Sequence, residues 1–209
     1  SSAVSTLIGD TKLREPVKDV GLISPAQVES LRARLRPGDI LIERRNWYLS
    51  NAFLPGYWPH SALYLGTVEE LRALGVDRDP RAAPHFAKLA QPDYAGGDAE
   101  RREVLARALS HAGKPYDFDF DFFSSDKLVC TEVVYRALNG YIDFPLSDIL
   151  GRKTLPALEI VRYWTQPEGA AKLEFVTFLD GDDRKLTVVE RDAAALKETL
   201  TRPALTWLQ

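Results

Sequence analysis

Residues 128–138 read LVCTEVVYRAL, and the single cysteine of the chain stands near their start. Val133, Val134, Ala137 and Leu138 follow Cys130 by three, four, seven and eight residues. That spacing is one face of an α-helix, so the stretch predicts a helix with a buried side and a thiol in its first turn. Upstream, GYWPHSALYLG (residues 56–66) sets a histidine at the mouth of an apolar run. Ser61 to Leu65 reads as a buried strand that begins at His60 and ends at Gly66.

The remaining elements follow from start and stop signals. Ser24 as N-cap and Pro25 at the first helical position open a helix with Val28, Leu31 and Leu35 on one face. Pro37 and Gly38 make a turn, and Ile40-Leu41-Ile42 form a short buried strand. Thr67 with Glu70 three residues on is a capping box for a short helix that closes at Gly75. Residues 76–97 are rich in Pro, Asp and Gly and predict a loop excursion. Asp98 caps a helix carrying Val104, Leu105, Ala108 and Leu109, which stops at Gly113 before Pro115. TLPALEIVRYW predicts another short helix, and two apolar runs around Gly181-Asp182-Asp183 predict a hairpin. Separated, antiparallel strands with helices gathered on one side give an α+β fold rather than a doubly wound sheet. The expected organisation is one domain over 1–209, with an N-terminal helical extension (1–35) and a C-terminal hairpin-and-helix addition (172–209).

Composition narrows the function. Of the 209 residues, 45% are hydrophobic and 27% charged, as in ordinary globular proteins. A formal net charge of −3, with the basic residues dispersed, leaves no stripe for phosphates, so nucleic acid is not an expected partner. No apolar run reaches the roughly 18 residues that span a bilayer, so no integral membrane segment is expected. One cysteine and three scattered histidines give no zinc spacing, so no metal is expected. The small residues Ser1-Ser2-Ala3-Val4-Ser5 suit the mature end left by signal-peptide cleavage, although a trimmed chain would begin in the same way.

A thiol at a helix start is favoured as thiolate by the partial positive charge of the unpaired N–H groups, which can also hold an oxyanion. Cys130 is therefore a candidate nucleophile and His60 a candidate base. The alternative is inert packing, since a lone cysteine among apolar neighbours behaves as a small hydrophobe. His111, in the last turn of its helix, is explained as a cation facing the dipole, and His85 as surface. Asp117, Asp119 and Asp121 alternate with phenylalanines in YDFDFDFF. An EF-hand register fails there, because its sixth position is Phe122 and its twelfth Leu128. Asp117 and Asp119, with Tyr116, are candidates for shaping a substrate site or binding an amine. The aromatic loop before His60 adds Tyr48, Tyr57 and Trp58 as a candidate cleft wall, with packing beneath the loop as the other reading.

Taken in order, RPGDILIERR, WPHSALYLG, GKPYDFDFDF and LVCTEVVYRAL resemble the YiiX/YebB-type branch of the permuted NlpC/P60 cysteine hydrolases, papain-like proteins related to lecithin:retinol acyltransferase. The resemblance covers Arg36 to Leu138. It implies a circularly permuted papain-like core, with Cys130 as nucleophile and His60 as base. It further implies a thioester mechanism without cofactor, acting on cell-wall peptides or lipids by hydrolysis or acyl transfer. The bacterial cell envelope becomes the expected location. Family members carry a third polar residue, often Glu, on the strand after the histidine strand. Here that place holds TVEELRALG, and no orienting residue is found before Asp98. Loss of that residue would suit a catalytically inactive binding or scaffold protein of the same fold, which is the rival reading.

Overall fold

The computed structural model of the chain describes residues 22–44, 56–86, 99–112, 114, 129–149, 151–182 and 185–204. Contacts divide it into two compact units. One comprises Ser1–Arg34, Glu43–His60 and Pro156–Gln209, the other Leu35–Ile42 and Ser61–Leu155.

In the second unit, the sequence Arg36-Pro37-Gly38-Asp39 dictates a type II turn, with Pro fixing φ at the second position and Gly accepting a positive φ at the third. Gly38 has φ 99°, and the Asp39 N–H donates to the Arg36 carbonyl at 3.0 Å. The Gly38 N–H then donates to the Tyr64 carbonyl, and the Tyr64 N–H to the Asp39 carbonyl, both at 2.8 Å. Two residues facing one, the first a left-handed Gly, is a G1 bulge, a device of antiparallel ladders. It sets the register of β1 (Ile40–Glu43) and β2 (His60–Leu63), which are hydrogen-bonded neighbours. Counted outward from the bulge, Glu43 falls opposite His60, the two residues at which these strands pass into the first unit.

β2 is shorter than the strand to Gly66 that the sequence predicts. Thr67 caps α2 (Val68–Ala73) as expected: its hydroxyl accepts from the Glu70 N–H, and the Glu70 carboxylate accepts from the Thr67 N–H. The expected loop over residues 76–97 is corrected in its first part, and residues 87–97 lie outside the described residues. Val76–Arg78 is a 3-10 turn and Ala83–Phe86 a short helix, α3. Val76 and Ala82 are fully buried in the core cluster with Leu71, Leu105, Ala106 and Leu109. Arg81 fixes this excursion by bonding both Asp79 and Glu103, the latter on α4 (Ala99–Leu109). Its guanidinium, hydrogen-bonded to each, lowers both carboxyls to about 2. Pro, Asp and Gly content thus marked turns whose apolar members still reach the core. α5 (Cys130–Leu138) follows, then β3 (Ser147–Ile149) and β4 (Arg152–Thr154), paired antiparallel.

His111 lies just past α4, and the reading of it as a cation is also corrected. Burial pushes its pKa down from 6.5 to about 4, and the charges of Lys114 and Arg136 push the same way. The ring is neutral at pH 7. An unfolded chain takes up this proton near pH 6.5 and the folded one only near 4, so no penalty exists above about 6.5 and it grows as pH falls toward 4. His111→Asn is expected to remove about 1 kcal/mol of acid-side loss of stability, a value discounted because the ring is partly solvated. Urea unfolding at pH 7 and pH 4.5 checks it.

In the first unit, Ser24 and Gln27 form a reciprocal capping box at the start of α1 (Pro25–Arg32). α6 (Ala157–Trp164) and α7 (Pro167–Ala170) precede the hairpin β5 (Phe178–Asp182) and β6 (Thr187–Arg191), whose register runs from Phe178↔Arg191 to Asp182↔Thr187. α8 (Ala193–Glu198) and a 3-10 turn (Thr199–Thr201) close the described chain. Segments from early and late in the sequence meet here: the Gln27 side chain donates to the Val188 carbonyl, and Arg34 pairs with Glu190. Among the described residues the strands form three separate antiparallel pairs. Mixed helices and small antiparallel sheets agree with the α+β class.

Candidate active site

Cys130 is the first residue of α5 and is partly exposed. Val129 before it is extended and buried, at φ −92° and ψ 160°, so the chain turns into the helix directly beneath the thiol. A valine has no side-chain oxygen to cap a helix, and the following turn compensates. The Glu132 carboxylate accepts the Val129 N–H at 3.3 Å, and its other oxygen accepts the Arg136 Nε–H at 2.6 Å. Glu132 is 0% exposed. A carboxylate in the first turn complements the helix dipole, and the ion pair one turn on holds it there. Thr131, Val134, Ala137 and Leu138 complete the buried side.

His60 opens β2 with its side chain 40% exposed, and Glu43 Oε1 stands 3.7 Å from its Nε2. This carboxylate was missed in the sequence. The family pattern sets the third polar residue after the histidine strand, whereas Glu43 ends the strand before it. The signal was present in GDILIE, because the turn and bulge at residues 36–39 fix the register that brings Glu43 beside His60.

Tyr57 and Trp58, expected as a cleft wall, are buried at 7% each. Arg44 and Arg202 each place a guanidinium against the Tyr57 ring, at 4.8 and 5.3 Å from its centroid. Trp58 donates its indole N–H to Thr199 Oγ1 at 2.7 Å and meets Phe178 edge-on. Gly56 ahead of them has φ 81°, and a Cβ there would lie 2.6 Å from Leu158. Tyr48, Tyr116, Asp117 and Asp119 lie outside the described residues, as does the side chain of His85. Among the described residues no cluster of His, Cys, Asp or Glu could hold a metal ion, and no helix is long and apolar enough to cross a membrane.

The second unit thus carries a thiol at a helix start, and the first an imidazole beside a carboxylate. No curated protein and no solved structure matches the chain. A family model does: that of the permuted papain-like amidase enzymes, YaeF/YiiX, C92 family, over residues 34–175. Both Cys130 and His60 fall inside the matched span, which is well over half of the chain, and the protein belongs to this family of permuted papain-like amidases.

Proposed function

We propose that the protein is a cysteine amidase in which Cys130 is the nucleophile, His60 the proton carrier and Glu43 the residue that orients it. The Cys130 thiolate attacks the carbonyl carbon and a C–S bond forms. The oxygen takes the charge, facing the N–H groups at the start of α5. The C–N bond then breaks, and the amine leaves with the proton that His60 took from the thiol. Water, giving a proton to His60, attacks the thioester, releases the carboxylic acid and restores the thiol. An ester would follow the same course with an alcohol leaving, and an amine or alcohol in place of water would make the reaction an acyl transfer.

Glu43 acts on this scheme through tautomer choice. A carboxylate at Nε2 keeps a proton on that nitrogen and leaves the Nδ1 lone pair for the thiol. Its 3.7 Å separation is the kind of contact that shortens in a substrate complex. Peptide amides are the favoured substrate class, because the family is one of amidases. The observation that carries the reading is the family match together with a partly exposed thiol at the first position of α5.

A panel of peptide amides and acyl esters tests it, with mass spectrometry of the quenched reaction. The expected result is amide turnover with an acyl adduct on the Cys130 peptide. Neither turnover nor adduct across the panel would leave the binding-protein reading in its place.

A further inference from the structure

The family model ends at residue 175, yet the chain beyond it makes some of the most specific contacts of the first unit. Arg202 donates to both oxygens of Asp180, at 2.7 and 2.8 Å, and to the Tyr57 hydroxyl at 3.2 Å. Thr199, fully buried, accepts from Trp58 and donates to the Leu196 carbonyl. Phe178 meets the Trp58 ring edge-on. Tyr57 and Trp58 are separated from His60 by Pro59 alone. The opposite strand is held in the same way: Arg44, next to Glu43, donates to the Tyr57 carbonyl at 2.7 Å and to the Ala204 carbonyl at 2.6 Å.

We propose that residues 178–204 are a positioning element for His60, gripping the chain beside both members of the Glu43–His60 pair and so fixing the imidazole. A bidentate Arg–carboxylate pair, a buried indole-to-hydroxyl bond and a guanidinium on an aromatic face each have restrictive geometry. Together they converge on a dipeptide that would otherwise be a flexible lead-in to a four-residue strand. Reach alone shows how small an error matters, since a displacement of about 1 Å at a reacting group can cost about 100-fold in rate. Arg202 is the centre of the grip, because it bonds both Asp180 and Tyr57.

The inference rests on the proposed role of His60, so its test separates the two. The ring C–H signals of the three histidines are recorded by NMR in the native protein and in Arg202→Ala, and Cys130 alkylation is followed in both and in each combined with His60→Ala. The expected result is a shifted or broadened His60 signal with His111 unchanged, and alkylation at pH 7 slowed about fivefold by Arg202→Ala. In the His60→Ala background, Arg202→Ala adds no further slowing. An unmoved His60 signal overturns the inference, and so does a disturbance of all three signals alike, which would mark general loosening. A moved His60 signal with alkylation indifferent to His60→Ala would uphold the positioning and refute the amidase mechanism instead. Should Arg202→Ala fail to fold, Asp180→Asn, which withdraws the anchor of Arg202 and keeps its shape, is read by the same outcomes.

Discussion

Cys130→Ala is expected to lower kcat/KM for a peptide amide by at least about 10⁴-fold, with the fold retained. The scheme breaks the C–N bond only after a C–S bond has formed, and the chain has no second thiol to substitute. Cys130→Ser is expected to fall nearly as far. A hydroxyl ionises far less readily than a thiol, and the electrostatics of a helix start lower a pKa by a few units only. Because Cys130 is not fully buried and the change removes one atom, the unfolding free energy should change by less than about 1 kcal/mol. Kinetics of both variants beside their urea unfolding curves check this. Retention of activity by the alanine variant would remove the thiol from the mechanism.

The second large effect lies in the same helix and is one of stability. Arg136→Ala is expected to cost about 3 kcal/mol, because it takes the ion pair away from the carboxylate of Glu132, which has no exposure to water. Glu132→Gln is expected to cost less, about 1–2 kcal/mol. It removes the buried charge while keeping an oxygen for the Val129 N–H, and the Arg136 side chain left behind is 29% exposed and can be solvated. Equal costs, or the reverse order, would show that the pair is not what anchors the start of α5. Thermal unfolding of the two variants decides the order.

Several parts of this molecule were written locally and could be read locally. The capping residues Ser24 and Thr67, the helix face after Cys130 and the hairpin before α8 each depend on neighbours within a few positions, and each formed. The excursion after residue 76 was misread for a physical reason. Pro, Asp and Gly report where the backbone bends, whereas Val76 and Ala82 are buried by α4 residues some thirty positions away. Glu43 is not legible from chain order, because strand register and not sequence neighbourhood sets it beside His60. The surroundings of Tyr57 and Trp58 were beyond local reading altogether. Their partners Arg202 and Thr199 belong to a segment more than 140 residues later, and no spacing rule links the two. Cys130 and His60 could be singled out because each opens an element, at the one kind of position where a polar side chain meets solvent while its element is buried.

The central claim is that Cys130 is a nucleophile activated by His60. Its most direct test is the rate of alkylation of Cys130 by a haloacetamide from about pH 5 to pH 9, in the native protein and in His60→Ala, set against the ordinary thiol pKa of about 8.5. With a single cysteine in the chain, the adduct is unambiguous and no substrate is required. The expected result is rapid alkylation well below pH 8.5 that is lost when His60 is removed. Slow alkylation at every pH, or a profile unchanged by the substitution, would contradict the pair and leave Cys130 as a packing residue.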